Sequence, residues 1–184
     1  KTLTPEVRMF SNAAADVTKV AELTLEGKIA LARGDKARAI DALTKAVAAE
    51  DATYYAEPSD WDLPTREVLG GALLSFGDGA AAERVFRAEL EKHPRNGRAL
   101  FGLAESLRKQ GKESAAKMVD VEFQRAWQDA DRKLTVPSLI GVAPSADTGA
   151  VAPRTSEVQF SSLIVKTGVR LHYAYKGDPA GTPL

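Results

Sequence analysis

The chain has no cysteine among its 184 residues, and only two histidines, two methionines and two tryptophans. The missing cysteines exclude disulfides, thiolate nucleophiles and cysteine-ligated metal sites. They do not fix a compartment, because a cytosolic protein and a cysteine-free exported one share this trait. His93 and His172 lie 79 positions apart, which gives no metal-binding spacing. His93 precedes Pro94 at an expected helix end, where a cation suits the dipole, and His172 sits between apolar residues of an expected strand. Neither sign of charge prevails, with Lys+Arg and Asp+Glu both at 25, so nothing asks for nucleic acid or an anionic membrane. No apolar run approaches the ~20 residues of a membrane helix, and the first residues show no signal-peptide pattern. There is no Gly-rich phosphate loop, since Gly70-Gly71 falls inside a helical pattern and suits close packing. Ser161-Ser162 has no base nearby in sequence. Glu57, Asp60 and Asp62 lack the spacing of a calcium loop. No catalytic residue, metal site or cofactor is expected.

What remains is ordinary globular material, 44% hydrophobic and 27% charged, and it repeats. Gly34, Gly77 and Gly111 each stand near the end of a helical pattern. The last two are 34 residues apart and the first two 43, so the first unit carries an insertion of nine residues. Seven residues before each glycine stands a small residue, Gly27, Gly70 or Ala104. Four before stands Ala30, Leu73 or Leu107, and five after, Ala39, Ala82 or Ala116. Leu43 and Phe86 follow nine after the first two glycines. Small residues let two helices approach, and large ones fill the groove beside them. The anchor glycine supplies the left-handed conformation that ends a first helix, and Pro94 marks the next boundary. One such hairpin cannot bury its apolar face alone, so neighbours stack.

On these residues, 20 to about 131 resemble a tetratricopeptide repeat array. Leu63–Asn96 is the fullest unit. The third begins with Leu100, Leu103, Ala104 and Leu107, then departs, because Asp120 stands where a large apolar residue is usual. Its second helix keeps the stripe Val119, Phe123, Ala126 and Trp127 and is expected from Glu113 to about Asp131. Ala13–Arg33 reads as one long helix with Asn12 or Ser11 as cap. Thr4-Pro5-Glu6 starts a short leading segment. The chain starts at Lys1 without a clear polar cap, which leaves room for upstream repeats. Other helical solenoids remain open.

The insertion, Asp51 to Pro64, holds Tyr54, Tyr55 and Trp61 among acidic residues and prolines. Either these rings form a lip that touches a partner, or they fold back and seal the junction between hairpins. The run Tyr55-Ala56-Glu57-Pro58, with Trp61 and Pro64, resembles a loop in some bacterial tetratricopeptide proteins of unassigned function.

After Leu134 the composition shifts. Residues 135–156 are rich in Pro, Ser, Ala and Gly and read as a linker. From Glu157 alternation returns: Val158, Phe160, Ser162 and Ile164, then Val169, Leu171, Tyr173 and Tyr175, with Lys166-Thr167-Gly168 as the turn. This predicts a β-hairpin. The tail, with Val165–Tyr173 and the loop Gly177-Asp178-Pro179, resembles the opening of an α/β-hydrolase. The chance occurrence of a hairpin is the alternative. The oxyanion element and nucleophile elbow that such a family needs would follow Leu184. An isolated hairpin is marginal in water, so this one is expected to be disordered, to pack on the helices or to pair with another chain.

The expected fold is therefore all-α: a tetratricopeptide-type array of about three hairpins over residues 1–134, a linker over 135–156 and a β-hairpin tail over 157–184. The resemblance implies a concave face lined by the first helix of each hairpin. Its inward positions would be Thr24, Lys28 and Leu31, then Glu67, Gly71 and Leu74, then Phe101, Glu105 and Arg108. With Tyr54, Tyr55 and Trp61, they are the candidate partner-binding residues. Their mixed charge is unlike the basic clamp by which some relatives grip a peptide carboxylate. Alternatively the face is merely solvated, or covered by the tail. The expected function is non-enzymatic: a scaffold binding a protein, a peptide or a neighbouring domain. The alternatives are an accessory domain of a hydrolase and a self-assembling structural repeat.

Overall fold

The structure is a computed structural model that describes residues 7–9, 11–57 and 59–141, together with the backbone of 159–164 and 170–175. Contacts divide the chain into two units, Lys1–Pro144 and Ser145–Leu184.

In the first unit, a two-stranded ladder, β1 (Arg8–Met9) and β2 (Asn12–Ala13), leads into six helices that pack as three antiparallel pairs. These are α1 (Ala14–Ala32) with α2 (Lys36–Asp51), α3 (Thr65–Ser75) with α4 (Gly79–Lys92), and α5 (Gly97–Lys109) with α6 (Glu113–Trp127). Each first helix stops the same way. Gly34, Gly77 and Gly111 have φ of 74°, 82° and 73°. Each residue after the glycine donates its N–H back into the helix: Asp35 to Ala30 O, Asp78 to Leu73 O and Lys112 to Leu107 O. The glycine N–H groups add a second bond each, Gly34 to Leu31 O, Gly77 to Leu74 O and Gly111 to Arg108 O, and this double closure of orphan carbonyls is why the glycine spacing predicts the hairpins. In the first two turns the aspartate after the glycine also caps the next helix, Asp35 accepting from Arg38 N and Asp78 from Ala81 N.

The core runs between the helices of each pair and on into the next. Leu43 and Phe86 are fully buried and occupy space left by glycine. A Cβ on Gly27 would lie under 3.0 Å from two side-chain atoms of Leu43. A Cβ on either Gly70 or Gly102 would do the same to three atoms of the Phe86 ring. Phe86 of α4 is thus wedged between α3 and α5 and couples the second hairpin to the third.

Three expectations need correction. The N-cap of α1 is Ala13, with no side-chain bond, because Asn12 is engaged elsewhere. Helix α6 ends at Trp127 rather than near Asp131. There Trp127 Nε1 donates to Arg132 O at 2.7 Å, drawing the chain out of the helix, and the ring lies against Gly97. Within α6, Ala116 is buried while Met118 and Val121 are exposed. The anomalous Asp120 has a polar role, accepting from Arg108.

The third correction is the largest. The expected linker begins with a folded segment. Residues Val136–Leu139 form a short helix, α7, capped by Thr135, with Leu139 and Ile140 buried and Gly141 at φ 75° closing it.

In the second unit, β3 (Gln159–Ile164) and β4 (Arg170–Tyr175) pair antiparallel, with Gln159 opposite Tyr175 and Ile164 opposite Arg170. The backbone is the expected hairpin. Its turn at Lys166-Thr167-Gly168, most of the linker and Gly177–Leu184 lie outside the described residues, as does the leading Thr4-Pro5-Glu6.

Candidate partner-binding site

The first helices α1, α3 and α5 line one face of the array, and that face is occupied. Helix α7 packs on α3 and α5 and makes no contact with α6, its neighbour in sequence. Gly71 provides the slot: a Cβ there would stand 2.9 Å from Leu139 Cβ and 3.0 Å from Ile140 Cγ1. At the far end of the segment, Lys28 of α1 brings its Nζ against Gly141.

Polar contacts finish the seat. Arg98 of α5 donates through Nη2 to Ser138 O at 3.0 Å and to Leu139 O at 3.4 Å. Its Nε donates to Glu67 Oε2. Asn96 caps α5, accepting from the N–H groups of Arg98 and Ala99. Its Nδ2 donates to Glu67 Oε1 at 2.9 Å and to Glu89 Oε1 at 3.2 Å. Burial pushes the Glu89 carboxyl above its ordinary value, against the opposing pull of His93, whose Nδ1 lies 2.6 Å away. Two buried carboxylates thus orient Asn96 and Arg98, and Arg98 passes that order to α7.

The inward positions named from the sequence separate accordingly. Lys28 and Gly71 meet the segment directly. Leu74, Glu105, Arg108 and Lys109 line a cavity of 370 Å³ beside Val136. There Arg108 is held by Glu105 at 2.6 Å and by Asp120. Phe101 is half-buried and packs at 5.8 Å on Phe123. Thr24 and Glu67 are buried and bonded within the array. Thr24 is buried with its hydroxyl donating to Val20 O at 2.7 Å, and Glu67, only 1% exposed, is committed to Arg98 and Asn96. Neither offers a free atom to a partner.

Tyr54, Tyr55 and Trp61 belong to a separate cleft of 740 Å³ beside the insertion. Tyr54 and Tyr55 are 78% and 82% exposed, so these two rings do not seal the hairpin junction. Trp61 is half-buried, and its Nε1 has no partner among the described residues. Asn12 places the loop: Nδ2 donates to Tyr54 O at 3.0 Å and to Asp60 Oδ2 at 2.6 Å, and Oδ1 accepts from Tyr54 N at 2.7 Å. Tyr55 donates to Glu57, and that bond raises the phenol above its ordinary value. On the opposite wall Asp51 accepts from Arg66 and Lys92. The Arg66 bond, more than the weaker Lys92 one, holds the Asp51 carboxyl below its ordinary value against desolvation.

The segment spanning α3, α4, α5 and the first turn of α6 decides what kind of array this is. Residues 68–116 match the family model described as Tetratricopeptide repeat. The helical part of the chain is a tetratricopeptide-type array of three hairpins, and such repeats generally mediate protein–protein interaction. No curated protein and no solved structure matches the chain. The residues of this seat that sequence reasoning misses are Asn96, Arg98, Leu139 and Ile140. The signal was present for the last two: an apolar pair four residues beyond a Thr cap and just before a Gly.

Proposed function

We propose that the array is a protein-interaction module that holds a partner peptide on the face formed by α1, α3 and α5. The observation that supports this reading is the seat of Thr135–Gly141. That face already accommodates a peptide, with an apolar pair in the Gly71 slot and two carbonyls taken by Arg98. The rim is mixed in charge, with Lys28 at one end and the paired Glu105 and Arg108 at the other. It suits the body of a peptide better than a terminal carboxylate. The exposed Tyr54 and Tyr55 offer a second contact zone of the amphipathic kind that interfaces favour.

Photo-crosslinking tests the reading. A benzoylphenylalanine is placed singly at Lys28, at Glu105 and, as a control, at Lys45. Lys45 is exposed on α2 and has no part in this face. Partner adducts from Lys28 and Glu105 but not from Lys45 are expected. Equal adducts from all three positions would count against a dedicated binding face. The hydrolase resemblance of residues 157–184 draws no support from the matches.

A further inference from the structure

The segment Thr135–Gly141 is built as a self-contained unit. Thr135 Oγ1 accepts from Ser138 N at 3.3 Å, and Ser138 Oγ accepts from Thr135 N at 2.9 Å and donates to Thr135 O at 2.6 Å. Pro137 fixes the turn between them, and Gly141 ends it in the left-handed region. The helix α6 that precedes it in sequence gives it no packing support. What holds it is the face of α3 and α5, through Leu139, Ile140 and Arg98. Between α6 and this unit lie the seven non-helical residues 128–134. A short preformed peptide on a tether, docked on a face whose residues supply slot and donor, has the anatomy of a bound ligand.

We infer that Thr135–Gly141 is a resident ligand of the groove, displaced by a partner peptide of the same chemistry. That peptide carries a Thr- or Ser-capped turn with Ser three residues on, followed by two adjacent aliphatic residues. The inference rests on the reading that this face binds peptides. The tether gives the resident an effective concentration of about millimolar, so a partner prevails by making contacts the resident lacks. The structure shows where. The 370 Å³ cavity between Leu74, Glu105, Arg108 and Lys109 opens beside Val136, and a larger apolar side chain at the Val136 position would reach further into it, against Leu74. The face is then closed to weak ligands and open to those that match both the turn and the cavity.

The test uses the full chain and two labelled peptides: one copying Leu134–Gly141, the other the same with leucine at the Val136 position. Both are titrated into the wild type and into Leu139→Ser/Ile140→Ser, in which the resident is weakened. The variant is expected to bind both peptides, the second more tightly. The wild type should bind them about 100-fold more weakly, as follows if its groove is vacant about 1% of the time. A peptide with serines at both aliphatic positions should bind neither chain. A folded variant that ignores the peptides overturns the inference, as does equal affinity for variant and wild type.

Should the variant lose its helical signal, Ile140→Cys places a single thiol in a cysteine-free chain. Millimolar peptide should then raise the thiol's labelling rate about tenfold or more by holding the segment out, and an unchanged rate overturns the inference. Crosslinks confined to Lys28 and Glu105, together with failure of the peptides, would remove the resident-ligand inference and leave the binding face standing.

Discussion

Replacing Gly102 with alanine sets two effects of opposite sign against each other. Helix propensity alone favours alanine in the interior of α5 by about 1 kcal/mol. Packing opposes it, because the new Cβ would stand under 3.0 Å from three atoms of the Phe86 ring. The ring is fully buried and cannot swing into solvent. Gly70 of α3 meets the same ring atoms, so α4 can yield only by drawing back from both helices. Overpacking of this kind costs about 1–3 kcal/mol, and three simultaneous clashes with a rigid ring place it at the upper end. The expected net loss is about 2 kcal/mol, a fall in Tm of about 4–8 °C for a unit of this size. Thermal and urea unfolding followed by far-UV circular dichroism would read it, with an unchanged urea slope showing that compactness is preserved. The cycle is completed in a Phe86→Leu background, where the shorter side chain leaves room. There the alanine penalty should shrink by about 1 kcal/mol or more. A higher Tm for Gly102→Ala in the wild type would refute the argument, and so would the same penalty with leucine at position 86.

The polar contacts lead to four further expectations. Arg98→Ala should destabilise the array by about 3 kcal/mol, the low end for a broken buried pair because Arg98 is 25% exposed. Adding Glu67→Gln should recover part of that loss in urea unfolding, since the stranded charge is gone. Glu83 accepts from Lys112, Gln110 and Arg87, which lower its carboxyl from 4.5 to about 2. Its stabilising contribution is therefore present above the ordinary value and lost as pH falls from about 4.5 towards about 2. Glu83→Gln should flatten that acid limb of a Tm-against-pH curve, and parallel curves would contradict it. Glu89 carries the opposite sign: its raised pKa gives a contribution present at low pH and lost as pH rises through that raised value. Asn12→Ala should cost about 2 kcal/mol by leaving Tyr54 N and Tyr54 O without their partner and Asp60 Oδ2 with only the backbone N–H of residue 12. Amide hydrogen exchange should rise in residues 53–62 while the α5 core is unchanged.

The array was legible because its punctuation is chemical. Three glycines at positive φ, each followed by a polar residue that reaches back into the finished helix, mark the hairpins directly in the sequence. Small residues before them mark where Leu43 and Phe86 enter. The same rules do not foresee the burial of Thr24 and Glu67, because a position within a repeat tells which face a residue points to and not what already sits there. Asn12 was read as a cap on local grounds, whereas its amide serves a loop 42 and 48 residues away. Helix α7 was hidden by averaging. Its four residues, with the flanking Thr135, Ile140 and Gly141, lie in a stretch rich in Pro, Ser, Ala and Gly, and only the pattern Thr-x-Pro-Ser-Leu-Ile-Gly, read residue by residue, separates it from linker. Residues that act on a chain segment far away in sequence, such as Arg98, leave no local pattern to read.

Asn12 is a staple. One amide side chain, through three hydrogen bonds, closes the chain from β2 to the Tyr54–Asp60 loop. In a secreted domain that duty often falls to a disulfide. A disulfide opens to reductants, whereas this staple is indifferent to redox surroundings and is vulnerable to time. Slow hydrolysis of Asn12 to aspartate would set a second carboxylate against that of Asp60 and remove both amide donors at once. The loop that displays Tyr54 and Tyr55 would then come loose in old molecules before the helices beneath it showed any change.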